Sequence, residues 1–399
     1  MEKYKLIHPY RHHSYEIINA FVNNGKNIEA ILGVYDKLDI GNLFKIKFLK
    51  GYNKKSISKN VTTYITTNIL FLLMKLKFVS EKTYISYFQK KAIKHINRED
   101  TVIFLQDYCQ EIIDYCIKHN IDYIYDHIMP CGYEQQNLLI KSAIEYNFSM
   151  DYVDRYMSKS KIVNNYRNIV NAKIILNASK STYNIVKSVL GKNNHKNFIV
   201  PYGANFKFFN DSYEAYRYID NKNNQLRNRK LKILYVGSLS LVKGTDLLID
   251  IIELNKDIEF GIVGIANSED DEIFIKKLLG NSNVYYYGAI PHKDMKKIYM
   301  KYDAFLFTSR IEGFGMVTLE ALAAGLPCIV NEFCPSVICN GENGFIIKNL
   351  SIKEYNKKIN DLKNDLDKLN YMSKAAYKSS NIYDWNNYYK KLISILNRK

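Results

Sequence analysis

Residues 312–327, EGFGMVTLEALAAGLP, admit few local structures. The preceding apolar run Ala304–Thr308 predicts a short buried strand, and Gly313 and Gly315 occupy the loop that follows it. Glycine tolerates positive φ and lets the backbone approach another group closely. A helix is then expected over Met316–Ala324, stopped by Gly325 and Pro327 as a C′ glycine and a following proline do. The start of such a helix presents unpaired N–H groups and the positive end of its dipole, an anion site suited to a diphosphate. A strand, glycine loop and helix in this order belong to a parallel α/β sheet.

The surrounding sequence agrees. Strands are expected at Lys232–Val236, Phe260–Val263, Val284–Tyr287, Ala304–Thr308 and Cys328–Val330, with helices at Thr245–Leu254, Asp270–Leu279, His292–Tyr302 and Met316–Ala324. The first half repeats the alternation less clearly, with strands at Asn27–Val34, Thr101–Leu105, Ile121–Tyr125, Ile174–Asn177 and Phe198–Val200. Between Lys207 and Lys230 the chain turns polar and Asn-rich, which is linker composition. A chain of 399 residues suits two domains. The expected fold class is therefore α/β, with two Rossmann-like doubly wound domains facing across a cleft. The expected division is residues 1–206, residues 207–379, and a last helix in 380–399 that crosses back to the first domain. Ligands of such sheets bind beyond the C-terminal ends of the strands, so chemistry belongs on the loops there.

Two carboxylates beside a phosphate site repel the phosphate unless they hold hydroxyls instead. Glu312 and Glu320 stand in that position, and with GFG and LEALAAGLP they form an E-x7-E pattern. This segment resembles the retaining GT-B glycosyltransferases, glycosyltransferase family 4 in particular. The resemblance implies that Glu312 meets donor-sugar hydroxyls and Glu320 ribose hydroxyls, with Gly313, Phe314, Gly315, Met316 and Val317 lining the donor site. A second segment, LKILYVGSLSLVKGTDLLID, ends a strand at Gly237 and leads through Lys243 and Gly244 into a helix. A lysine on such a loop reaches phosphate as a point charge. The family usually shows G-R-x4-K-G here; Ser238 replaces the arginine, leaving one cation fewer. Weaker likenesses include GIVGIA with Gly264, VYYYGAIP, ENGFII, FIVPYGANFKFF, ILNASKSTYNIV and the C-terminal YDWNNYYKKLISIL.

On the first half, the loop HPYRHHS offers Arg11, His12 and His13 for an acceptor. His127, in YDHIMP, loosely matches a histidine near the reacting sugar in relatives, and joins Glu312 and Lys243 as a catalytic candidate. The resemblance implies no cofactor and no bound metal. It implies a nucleotide-diphosphate sugar as donor, a glycan or lipid-linked acceptor, and a role in surface polysaccharide or lipopolysaccharide synthesis. A GT-B-fold sugar-nucleotide epimerase and a catalytically dead sugar-nucleotide-binding relative are the alternatives.

The chain carries a net charge of +17. Residues 1–206 hold 29 Lys and Arg against 17 Asp and Glu, the remainder 28 against 23. Excess charge on one half fits an anionic membrane or acceptor, although Lys, Asn, Ile and Tyr are also the residues of AT-rich codons. No helix-turn-helix, RNA-recognition motif or zinc finger is visible and the basic residues are scattered, so no nucleic acid is expected. The start lacks an apolar signal region, and the longest apolar run, Ile69–Val79, is broken by Lys75 and Lys77. A cytoplasmic protein, with possible peripheral membrane contact, is expected. The six cysteines show no metal spacing and read as reduced, mostly core thiols.

Overall fold

The computed structural model describes residues 3–10, 13–35, 61–62, 65–106, 108–204, 208–334 and 337–398. Two parallel sheets organise them. The first has seven strands: β1 (Lys3–His8), β2 (Ile28–Leu32), β3 (Val61–Thr62), β4 (Asp100–Leu105), β5 (Tyr123–His127), β6 (Ile174–Asn177) and β7 (Asn197–Ile199). The second has six: β8 (Lys232–Val236), β9 (Glu259–Val263), β10 (Val284–Gly288), β11 (Ala304–Phe307), β12 (Cys328–Asn331) and β13 (Gly344–Ile347). Strands β4, β11 and β12 are buried along their whole length. Helices cover both faces of a parallel sheet, which is why these strands read as continuous apolar runs rather than alternating ones.

The strand orders place the site. The first sheet runs β3-β2-β1-β4-β5-β6-β7 and the second β10-β9-β8-β11-β12-β13. In each, the direction of winding reverses at one point, between β1 and β4 and between β8 and β11. At such a point the loops leaving the two strands diverge and open a crevice. In the second sheet those are the Lys243 loop after β8 and the Glu312 loop after β11.

The polar stretch Lys207–Lys230 departs from the expected linker. It contains a helix, Ser212–Asn224, capped by Asp211, whose Oδ1 accepts the Glu214 N–H at 2.8 Å. Ala215 and Ile219, one turn apart, are fully buried, and the Lys222 ammonium donates to the Tyr302 carbonyl at 2.8 Å. Tyr216 and Tyr218 add packing against Tyr377 and Phe209, and Gly325 makes room for Ile219: a Cβ there would stand 2.8 Å from Ile219 Cδ1. The 206/207 boundary lies outside the described residues.

The final helix, Trp385–Leu396, packs on the helix Ser14–Asn23 of the first sheet, where Tyr389 donates to Glu16 Oε2 at 2.5 Å. A Cβ on Gly203 would stand 2.3 Å from Trp385 N, so the turn after β7 lies directly on the start of that helix. The cysteines are unbridged; all but Cys339 are buried. Among the described residues, no helix is long and apolar enough to cross a membrane.

One buried ion pair ties the site loops to the core. Arg310, 3% exposed, forms a two-pronged pair with Asp246 (Nη1 to Oδ1 at 2.6 Å, Nη2 to Oδ2), and Nη1 also donates to the Leu241 carbonyl at 2.9 Å. Removing one member of a buried pair strands the other charge, which costs about 3–5 kcal/mol. Arg310→Met should lower unfolding stability by that amount in urea titrations. A loss below about 1 kcal/mol would show that the pair does not hold these loops.

Candidate active site

Three backbone-level contacts join the loop after β8 to the loop after β11. Gly244 has φ +65°, and a Cβ there would stand 2.1 Å from the Thr308 carbonyl oxygen. Thr308 Oγ1 donates to the Gly244 carbonyl at 2.8 Å, and the Arg310 N–H donates to the Val242 carbonyl at 2.9 Å. The register of the two loops is thereby fixed, and it brings together side chains 69 positions apart: Lys243 Nζ lies 2.6 Å from Glu312 Oε2. The other carboxylate oxygen of Glu312 accepts the Gly315 N–H at 3.2 Å. Gly315 sits at φ +76° as the residue before the helix Met316–Ala323, whose first N–H groups have no partner within the helix. One ammonium, one carboxylate and one helix N-terminus thus converge.

A cavity of about 440 Å³ opens above them. Gly237, Lys243, Glu312, Gly313, Phe314, Gly315, Met316 and Val317 line one wall. The opposite wall comes from the first sheet: Gln106, Tyr108, Ile128, Met129 and Tyr202. At Gly313 the walls nearly touch, since a Cβ there would stand 1.7 Å from the Ile128 carbonyl oxygen. The two glycines of the motif therefore do different work. Gly315 supplies positive φ, and Gly313 supplies close approach between the domains.

The remaining sequence candidates fall around this cavity rather than on its lining. Gly264 (φ +151°) packs under the Gly237 turn, where a Cβ would stand 1.8 Å from the Gly237 carbonyl oxygen. Ser238 Oγ accepts from Asn267 Nδ2 at 3.1 Å. Glu320 lies one turn along the helix and is 8% exposed; Tyr299 donates to its Oε2 at 2.7 Å, and the exposed His292 Nε2 stands 3.8 Å from its Oε1. Burial raises the Glu320 carboxyl pKa.

His127 is a correction. Its side chain, at the end of the interior strand β5, is fully buried; Nδ1 donates to Asn177 Oδ1 at 3.2 Å, and Nε2 accepts from Asn165 Nδ2 at 3.2 Å. Both ring nitrogens are occupied and neither lines the cavity, so His127 is a structural histidine. It loosely matched a histidine of relatives, but β5 is buried along its whole length and the ring lies among Asn165 and Asn177. Of the acceptor candidates, Arg11 and His12 lie outside the described residues. His13 Nε2 lies 2.5 Å from Asp126 Oδ2, and its ring lies tilted against Tyr202 with centroids 4.2 Å apart. Through Tyr202, His13 and the buried Asp126 back the cavity wall. Among the described residues, no group of three or more His, Cys, Asp or Glu could hold a metal ion.

Residues 217–379 match the family described as glycosyl transferases group 1. The whole chain superposes on sucrose-phosphate synthase from Thermosynechococcus elongatus with a TM-score of 0.68 at 14% identity, covering 100% of this chain and 99% of that one. The fold is GT-B. Coverage is equally complete for WaaG, a glycosyltransferase involved in lipopolysaccharide biosynthesis (TM-score 0.58, 14% identity, 100% of both chains). By sequence, the chain is 31% identical over 156 residues to the capsular polysaccharide biosynthesis glycosyltransferase CapM of Staphylococcus aureus, covering 37% of this chain and 40% of that protein. It is 32% identical over 126 residues to an uncharacterised 41.2 kDa protein in the cps region of Klebsiella pneumoniae, covering 31% and 34%. The matched stretch thus spans roughly a third of these relatives' length.

Burial drives the His127 pKa down to about 4. Its unfolded-state value is near 6.5, so between those values the unfolded chain binds the extra proton. The neutral ring's contribution is complete above pH 6.5 and is lost as pH falls toward 4, by about 3 kcal/mol in all. His127→Gln should flatten the slope of unfolding free energy against pH in that window. An unchanged slope would place a titrating imidazole elsewhere.

Proposed function

We propose that this chain transfers a sugar from a nucleotide-diphosphate sugar to a glycan or lipid-linked acceptor, with retention of anomeric configuration, in the synthesis of a surface polysaccharide or lipopolysaccharide. The observation that carries this is the Lys243–Glu312 pair at the N-terminus of the helix Met316–Ala323, facing a wall from the other domain. A diphosphate fits the cation and the helix N-terminus, and sugar hydroxyls fit the carboxylate. The family match over residues 217–379 and the polysaccharide relatives support the same reading.

In the reaction, the bond from the anomeric carbon to the phosphate oxygen breaks and one to the acceptor hydroxyl oxygen forms. The transition state is oxocarbenium-like. Negative charge grows on the leaving diphosphate, where Lys243 and the amides at Met316 and Val317 stabilise it. The acceptor proton passes to that leaving phosphate, which removes the need for a separate protein base. Protein groups rather than a divalent ion hold the diphosphate. Glu320 takes the ribose hydroxyls with the oxygen that Tyr299 leaves unoccupied. Exposed Ile69, Leu76 and Phe78 beside Lys75 and Lys77 suit a peripheral contact with an anionic membrane.

A thermal-shift panel of UDP, GDP, ADP, CDP and their sugar conjugates, without metal, should give one nucleotide that raises the midpoint. No shift with any of them would remove the donor site. With that donor, Lys243→Met should cut transfer at least a hundredfold while the unfolding midpoint stays within a few degrees, since the loss falls on transition-state charge. Near-normal turnover in that variant would sink the role given to Lys243.

A further inference from the structure

Gln106 follows β4 directly, beside the point where the first sheet reverses its winding. Its side chain is fully buried yet contributes to the cavity wall. Two contacts fix it. Its backbone N–H donates to the Asp126 carbonyl at 3.0 Å, and its side-chain Oε1 accepts the Met129 N–H at 2.8 Å. The second contact settles which way the amide faces. Turning it over would set an NH₂ against an N–H, donor against donor. Oε1 therefore stays on Met129, and Nε2 is the end left over. Nε2 is buried and, among the described residues, has no hydrogen-bond partner.

Buried polar groups in folded proteins almost always have partners, and an exception calls for an explanation; beside a binding cavity, a partner that arrives with the ligand supplies one. Nε2 can only donate, so it calls for an oxygen acceptor. The phosphate-type attractions, Lys243 and the helix N-terminus, lie on the opposite wall. Glu312, on that wall, can only accept when ionised. A sugar hydroxyl both donates and accepts, so a sugar between Glu312 and Gln106 satisfies both.

We propose that Gln106 is a specificity-determining residue for the transferred sugar, donating an Nε2 hydrogen to one of its substituent oxygens. This rests on the nucleotide-sugar reading above, and Gln106 is the first domain's contribution to donor selection.

The test uses the full chain and calorimetric dissociation constants for a nucleoside diphosphate alone and for its sugar conjugates. The probes are UDP with UDP-glucose, UDP-galactose and UDP-N-acetylglucosamine, and GDP with GDP-mannose. Two variants are compared with the wild type. Gln106→Glu keeps an oxygen for the Met129 N–H and replaces the NH₂ by a second oxygen; Gln106→Met keeps the length and removes all polarity. Both should bind the nucleoside diphosphate as the wild type does, which also reports that they fold. Both should lose about tenfold in affinity for the preferred conjugate. In Gln106→Glu the loss should deepen as pH rises, because a protonated carboxyl can still donate and an ionised one cannot. Wild-type affinity for the conjugate in both variants would overturn the assignment, as would equal losses for conjugate and free nucleoside diphosphate. If the wild type binds no probe, the nucleotide-sugar reading itself fails, and this assignment fails with it.

Discussion

The site depends on the buried pair Arg310–Asp246. Asp246 opens the helix after the Lys243 loop, and Arg310 stands two residues before Glu312. Because the guanidinium fork meets the carboxylate on both prongs and also takes the Leu241 carbonyl, the two loops move as one unit. The 2.6 Å approach of Lys243 to Glu312 is a consequence of that register. A buried ion pair is weak evidence for stability as such. Here its geometric effect matters more, since it holds two loops from non-consecutive strands at the point where they would otherwise splay apart.

The second requirement is closeness of the two domains. Gly313 lies against the Ile128 carbonyl with no space for a methyl group, and Tyr202 packs edge-on against Phe314 at 5.4 Å. Further out, Tyr152 of the first domain donates to Asp271 of the second at 2.7 Å and accepts the Leu241 N–H at 3.1 Å. Leu241 is thus held by Arg310 through its carbonyl and by Tyr152 through its amide. The loop that carries Lys243 is clamped from within its own domain and from across the cleft.

Much of the second domain was legible in the sequence because its signals are local. The strand Lys232–Val236 and the helix Thr245–Leu254 follow from apolar runs and a glycine turn, and both occur as expected. Lys243 and Glu312 were visible because glycines mark their loops. Three things were not legible, each for a physical reason. The helix Ser212–Asn224 hides in polar sequence because much of its packing comes from tyrosines and buried polar residues around Ala215 and Ile219, with room made by a glycine on another element. His127 was singled out by a loose match to a histidine of relatives after a strand, and sequence does not show which way its side chain turns. Gln106 carries no motif, and the segments holding Met129 and Tyr202 gave no sign of a cavity wall; their meaning arises when the sheet sets the ends of β4, β5 and β7 opposite the Glu312 loop. The strand-end rule pointed to that region but not to the residue.

The absence of an arginine at Ser238 bears on how the site would use charge. Lys243 is neutralised by its pair with Glu312, leaving the helix N-terminus, worth roughly half a charge, as the net attraction for phosphate. In the proposed complex a diphosphate competes with Glu312 for Lys243, and among the described residues no second cation lines the cavity to relieve the competition. Drawing Lys243 away leaves the Glu312 carboxylate, 13% exposed, without its counter-charge. Such a carboxylate is costly unless donors replace the lost ammonium. Sugar hydroxyls are donors. In the proposed complex, a nucleotide sugar supplies phosphate to the lysine and hydroxyls to the glutamate in one event, whereas a bare nucleotide meets only the first demand. On the proposed reading, the pairing of Lys243 with Glu312 couples recognition of the leaving group to recognition of the sugar, and Ser238, where the resembled family usually has arginine, would make that coupling stricter.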